Sequence, residues 1–274
     1  MTGQQGVWMS SFRYDVNLSI LFTELDIAQR PAAAKEAGFD AVEFWWPFAD
    51  PVPSDGEVDK FVRAIEEAGV SLVGLNFFAG DMPAGDRGVL SHPGRSREFT
   101  DNVDVAVGIG ARLGCTAFNA LYGNRLDELE PSAQDAAATE NLVHAAKAAA
   151  RIDGTVLIEP VSGTPAYPLK RASDAFAVID RVHSAGGVDN LRLLLDLYHL
   201  VTNGDDPDAV IDSRGGEVGH VQIADAPGRH EPGTGGIDFE HYFAKLRAAG
   251  YSGDIGLEYK ASGATTDSFT WAFQ

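Results

Sequence analysis

Basic residues are scarce in this chain: 21 Lys and Arg stand against 40 Asp and Glu, a formal net charge of −19. A phosphate backbone is bound through clustered Lys and Arg, so this deficit argues against nucleic acid as a partner. It also repels small anions at long range, so an anionic ligand needs a local cation from a metal, an arginine or a lysine. Cysteine is nearly absent. The single Cys115 excludes a disulfide within the chain, and its position where an apolar strand should begin makes it a buried structural thiol rather than a nucleophile. No basic segment followed by an apolar one opens the sequence, and no apolar run is long enough to cross a bilayer. The protein therefore reads as soluble and cytoplasmic, without a membrane partner. Residues Met1 to Ser11 are expected to form a loose leader, with Met9 as an alternative start. No GxGxxG lies on a strand-to-helix turn, so a nicotinamide cofactor is not indicated.

What is present is a regular alternation of short apolar segments with amphipathic ones, the pattern of parallel strands joined by crossover helices. Eight such units predict a (β/α)8 barrel, the TIM-barrel architecture of the α/β class. Its usual length accommodates all 274 residues as one domain, 1–274. The strands are expected at Tyr14 to Ser19, Ala41 to Phe44, Ser71 to Asn76, Thr116 to Asn119, Thr155 to Glu159, Leu191 to Asp196, Gly219 to Ala224 and Asp254 to Tyr259. Helices are expected at Asp26 to Ala37, Glu57 to Ala68, Arg95 to Leu113, Ala133 to Arg151 and Phe239 to Ala249. Gly38, Gly69, Gly114 and Gly250 follow helical stretches and supply the left-handed residue that closes a helix. Gly154 to Pro168 and Ala226 to Gly236 read as long, turn-rich loops, and no linker or composition shift marks a domain boundary.

The late strands carry an alternation that a barrel explains. In Thr155-Val156-Leu157-Ile158-Glu159 the acid falls on the face opposite Val156 and Ile158, and in Asp254-Ile255-Gly256-Leu257-Glu258 on the face opposite Ile255 and Leu257. The branched residues then meet the helices and the carboxylates point inward. Gln222 and Asp196 follow the same scheme. Barrel enzymes build their sites at the C-terminal strand ends, where Glu159, Asp196, Gln222 and Glu258 all fall. One such acid is commonly a solvated terminus or a helix cap. Three crowded at one barrel mouth repel one another unless a cation neutralises them. Carboxylate and amide oxygens without thiolate suit Mg2+ first and Mn2+ second, ahead of Zn2+, copper or calcium.

These segments resemble the hydroxypyruvate isomerases of the xylose isomerase-like barrel superfamily. The likeness is carried by Asn17-Leu18-Ser19 with Leu21-Phe22, by Gly38-Phe39-Asp40-Ala41-Val42-Glu43-Phe44, by Ala79-Gly80-Asp81 and Gly85-Asp86-Arg87-Gly88, and by Pro93-Gly94-Arg95. It continues through Leu157-Ile158-Glu159-Pro160, Asp196-Leu197-Tyr198-His199, Gly219 to Asp225, Glu231-Pro232-Gly233-Thr234-Gly235 and Gly256-Leu257-Glu258-Tyr259-Lys260. The resemblance implies interconversion of hydroxypyruvate and tartronate semialdehyde, with Glu159 and Glu258 as the catalytic pair and Asp196 and Gln222 as the other metal ligands. Related ketose 3-epimerases usually have His where this chain has Gln222, which favours the isomerase branch. Barrels of this family often form dimers or tetramers, so a homo-oligomer is compatible with it.

The chemistry agrees. Moving a carbonyl between adjacent carbons requires removing a proton, holding an enediolate and returning a proton next door, which two opposed carboxylates can do beside a Lewis-acidic metal. His199, three residues after Asp196, is a candidate substrate contact, or a plain hydrogen-bonding residue. Glu43 is expected to bind substrate hydroxyls or support the site, unless Trp45 and Trp46 bury it against a charged partner. Arg87, Arg229, His230 and Lys260, in loops after strands, are candidates for the substrate carboxylate. Alternatives on the same barrel are a 2-oxo-tetronate isomerase, a ketose 3-epimerase-like enzyme, an inosose dehydratase-like lyase and a noncatalytic sugar-acid binder. An apurinic endonuclease would need more than the seven histidines here and a basic groove.

Overall fold

The computed structural model describes residues 12–272, so the expected leader at 1–11 lies outside it. Eight parallel strands close into a barrel in chain order: β1 Tyr14–Asn17, β2 Ala41–Phe44, β3 Ser71–Asn76, β4 Ala117–Asn119, β5 Thr155–Ile158, β6 Leu191–Asp196, β7 Val218–Ile223 and β8 Ile255–Leu257. The last pairs with the first, through Tyr14 with Ile255 and Val16 with Leu257, so no sheet edge is left open. The barrel predicted from the alternation is thus observed. Three of the eight strands match the expected bounds to the residue. The rest differ at their ends, where chain turns out of the ladder toward the loops.

Among the described residues eight α-helices wrap the barrel: α1 Arg30–Glu36, α2 Asp55–Ala68, α3 Ser96–Leu113, α4 Pro131–Ala150, α5 Ala172–Gly186, α6 Leu197–Thr202, α7 Pro207–Arg214 and α8 Phe239–Ala248. Strand residues that face them are fully buried, as Val156, Ile158, Ile255 and Leu257 show. Burial on both faces is what makes these strands read as nearly continuous apolar runs. The helix-closing glycines behave as their sequence positions require, with φ of 99° at Gly38, 66° at Gly69, 73° at Gly114 and 88° at Gly250. At the other end of α2, the Ser54 N–H donates to Glu57 Oε2 at 2.9 Å and the Glu57 N–H to Ser54 Oγ at 3.4 Å, a reciprocal cap.

The first helix starts four residues later than expected, at Arg30. Pro31 explains the delay: it lacks an N–H and its ring clashes with the carbonyl four residues back, so it belongs to the first turn. Cys115 is fully buried and burial pushes its thiol up to about 12, in keeping with a structural role.

Two glycines of α3 give opposite predictions. A Cβ at Gly110 would lie 2.6 Å from the Cys115 carbonyl oxygen and 2.5 Å from Phe118 Cζ, whereas one at exposed Gly108 meets nothing within 4 Å. Gly110→Ala should therefore destabilise the fold by about 1–3 kcal/mol despite alanine's better helix propensity. Gly108→Ala should stabilise it by up to about 1 kcal/mol. Urea midpoints of the two variants, read at unchanged m, check both signs.

Candidate active site

The C-terminal ends of β5 to β8 bring the expected residues together. Glu159 directly follows β5, Asp196 ends β6, Gln222 lies in β7 and Glu258 directly follows β8; all four are buried. One ligand atom each from Glu159, Asp196, His199 and Glu258 falls within 4.8 Å of the others. His199 joins them because α6 begins immediately after Asp196, whose Oδ1 accepts the His199 N–H at 3.1 Å as the helix cap. One helical turn then brings the imidazole back over the acids. Its Nε2 stands 3.6 Å from Asp196 Oδ2 and 3.7 Å from Glu159 Oε1.

The other ring nitrogen fixes what His199 offers. The Ser162 backbone N–H donates to His199 Nδ1 at 3.0 Å, and a backbone N–H can only donate, so Nδ1 presents its lone pair. Burial, with Arg229 and Lys170 nearby, holds the imidazole well below the usual histidine range. The neutral ring therefore carries its hydrogen on Nε2, facing the carboxylates. Proximity alone would admit His199 as a metal ligand, but this tautomer makes it a hydrogen-bond donor.

Each glutamate is held by an asparagine from the neighbouring strand. Asn17, the last residue of β1, donates through Nδ2 to Glu258 Oε1 at 3.1 Å; Asn119, the last of β4, donates to Glu159 Oε2 at 2.7 Å. The Asn17 amide cannot turn over, because its Oδ1 accepts the Ser19 N–H at 3.0 Å. Glu258 has further donors, Trp45 Nε1 at 2.6 Å and the Arg229 guanidinium on its other oxygen.

The electrostatics of the cluster are those of crowded acids. Burial, then repulsion from Glu258 and Asp196, holds Glu159 well above the usual carboxylate range, and burial with the Glu258 charge pushes Asp196 up to about 7. Glu258 is raised by burial and by Glu43, with Arg229 opposing. Asp196 Oδ2 and Gln222 Oε1 are buried acceptors that meet no donor among the described residues. Two orphaned oxygens beside two glutamates make a donor set that suits a hard divalent cation.

A cleft of about 1560 Å³ opens over the site, lined by Glu159, His199, Arg229 and Glu258 and rimmed by Trp45 and Phe48. Arg87 and Lys260 also line it; Arg87 donates to the carbonyls of Met82 and Asp86, and Lys260 is exposed. Arg229 is largely buried, paired with Glu258, with its guanidinium 5.5 Å from the centre of the Tyr198 ring. His230 does not line the cleft, and its Nδ1 lies 2.7 Å from the Lys260 carbonyl. Asp196 and Gln222 do not line it either.

Glu43 is not brought to the cleft. It is buried inside the barrel, where Oε1 accepts from Gln222 Nε2 at 2.7 Å and Asn17 Nδ2 at 2.9 Å, and Oε2 lies 2.8 Å from His220 Nε2. A charged partner does meet it, but that partner is His220, which burial would keep neutral and the Glu43 charge raises to about 9. Trp45 bonds Glu258 instead. The sequence assigns Asn17, Asn119 and His220 no site role, although each carries a signal. Asn17 and Asn119 end strands as Asp196 does, and His220 shares the inward parity of Gln222.

The chain matches the model of the xylose isomerase-like TIM barrel over residues 31–272. It is 53% identical over 264 residues to a protein of Streptomyces coelicolor named putative hydroxypyruvate isomerase, covering 94% of this chain and 95% of that protein. It is 32% identical to a 2-oxo-tetronate isomerase of Cupriavidus necator, covering 94% and 96%. Among solved structures, one described as an AP endonuclease, family 2, from Brucella melitensis superposes with a TM-score of 0.85 at 34% identity, covering 95% and 97%. With its closed barrel and its strand-end acids, the chain belongs to the hydroxypyruvate isomerase family of xylose isomerase-like TIM barrels.

Proposed function

We propose that this protein is a metal-assisted isomerase that interconverts hydroxypyruvate and tartronate semialdehyde. The observation that carries the reading is the pairing of Glu159 and Glu258, two buried carboxylates of one cluster, each steadied by a strand-end asparagine. In the forward direction one glutamate takes a proton from the hydroxymethyl carbon. The carbonyl moves to that carbon, a proton is returned to the neighbouring one, and a hydroxyl proton passes between the two oxygens. The geometry leaves either glutamate able to start. Glu159, Asp196, Gln222 and Glu258 would hold the cation, Mg2+ ahead of Mn2+, which supplies Lewis-acid charge for the enediolate when bound. His199 offers Nε2–H to a substrate oxygen, and Arg229, Lys260 and Arg87 attract the substrate carboxylate. Glu43, away from the cleft, is given no substrate contact.

A 2-oxo-tetronate is the second reading, favoured by the Cupriavidus relative. The endonuclease name of the Brucella protein is not carried over: the net charge of −19 opposes duplex DNA, and one imidazole stands in the cluster.

Incubation with hydroxypyruvate and Mg2+, followed by NMR, should show tartronate semialdehyde; turnover of a 2-oxo-tetronate alone would favour the second reading, and elimination of water a lyase. Glu159→Gln and Glu258→Gln should each lower kcat by about 10²–10⁴-fold. A variant retaining more than a tenth of the wild-type kcat would remove that residue from proton transfer.

Metal binding should depend on pH in a definite sense. The three acids are raised in the metal-free protein, Asp196 to about 7, yet a cation needs them ionised, so its binding releases protons. Mn2+ affinity should rise between about pH 6 and about pH 8. Because the folded pKa values exceed the unfolded ones, the stability these groups give is present at low pH and lost as pH rises through them. The metal-free Tm should therefore fall as pH rises from about 5 through about 7, the folded value of Asp196, with Mn2+ stabilising most at the upper end. A pH-independent Mn2+ affinity would count against carboxylate ligation.

A further inference from the structure

We propose that Glu43 is a positioning residue: by accepting from the Gln222 amide inside the barrel, it turns the Gln222 oxygen toward the metal site. The inference rests on the metal reading above and adds a residue that touches neither cation nor substrate. A glutamine side chain presents one oxygen and one nitrogen, and only the oxygen can ligate a hard cation. Which one faces the acids is decided by what stands on the other side. Here that is Glu43 Oε1, 2.7 Å from Gln222 Nε2, with Glu258 Oε1 a longer second acceptor at 3.4 Å, and the Gln222 Oε1 is left buried with no donor among the described residues. Turning the amide over would set two oxygens against each other.

Glu43 is held in place to do this. Its Oε2 is engaged by His220 Nε2 at 2.8 Å, and its Oε1 takes a second bond from Asn17 Nδ2 at 2.9 Å, whose own orientation Ser19 fixes. The barrel has made room for it with two glycines. A Cβ at Gly256 would lie 2.9 Å from Glu43 Oε1 and 3.0 Å from Gln222 Cγ, and one at Gly74 would lie 3.1 Å from Glu43 Oε2. The carboxylate matters because it offers an acceptor on each side. In Glu43→Gln there is one oxygen for three claimants, His220 on one side and Gln222 and Asn17 on the other: if it faces His220, the new NH2 group meets Gln222 and turns its oxygen inward, away from the cation.

The test is Mn2+ binding by metal-free protein, measured by calorimetry or by the EPR signal of free Mn2+, across the cycle wild type, Glu43→Gln, Gln222→Ala and the double variant. Glu43→Gln should weaken Mn2+ by about 10- to 100-fold, the range for partners that orient a metal ligand. In the Gln222→Ala background the same change should cost no further affinity, because the group it orients is gone. An unchanged Mn2+ Kd in Glu43→Gln overturns the inference, and so does an equal loss in both backgrounds, which a general effect of charge or packing would give. Wild-type protein that binds no Mn2+ overturns the metal reading and this inference with it. If Glu43→Gln does not fold, Glu43→Asp withdraws the acceptors by one methylene and should weaken Mn2+ in the same sense.

Discussion

Burying like charges together is the constraint on which this site is built. Two carboxylates about 5 Å apart repel by about 3 kcal/mol at an effective dielectric of 20. Hydrogen bonds to charged groups each contribute about 1.5–3 kcal/mol. Glu258 meets this with Asn17, Trp45, Arg229 and, at 3.4 Å, Gln222, but Glu159 has one amide donor, Asp196 Oδ2 accepts no hydrogen bond among the described residues, and the His199 imidazole stands off from both at 3.7 and 3.6 Å. The donors of the chain leave the cluster short of positive charge on the Glu159 and Asp196 side. That is the side on which the orphaned acceptors call for a cation.

The (β/α)8 scaffold supplies the donors through register rather than through sequence proximity. Asp15 pairs with Gly256 and Val16 with Leu257, so Asn17 comes out beside Glu258 although 241 residues separate them. Asn119 pairs with Leu157, two residues before Glu159, with the same result. The two glutamates thus receive equivalent support from strands on different sides of the barrel.

This explains what could be read from the chain. Strand-end acids such as Glu159 and Glu258 stood out because a carboxylate closing an apolar run needs a reason, and alternation alone assigned its face. Asn17 and Asn119 did not, since an amide at a strand end is ordinary until closure of β1 on β8 and pairing of β4 with β5 name its neighbour. Parity also places Glu43 inside the barrel, where it is buried. It gives no depth, and depth separates a residue that touches substrate from one that touches Gln222. The closing glycines of the helices were legible because backbone geometry demands them locally, whereas the start of α1 turned on the reach of a single proline ring.

Arg229, whose guanidinium is paired with the cluster, shows the same economy. Its loop is organised by Asp225, whose buried carboxylate accepts four backbone N–H groups, from Ala226 at 2.9 Å, Gly233 and Gly235 at 2.8 Å and Ile237 at 3.0 Å. Gly235 has to be glycine in this arrangement, because a Cβ there would fall 2.3 Å from the Ala226 carbonyl oxygen. A stretch that reads as turn-rich and loose is therefore tied to a single side chain. That frame holds Arg229 at a φ of 60° against Glu258. In a chain of net charge −19, a cation on a free loop would be drawn to any of many surface acids. One held by its own backbone keeps its charge where the buried acids need it.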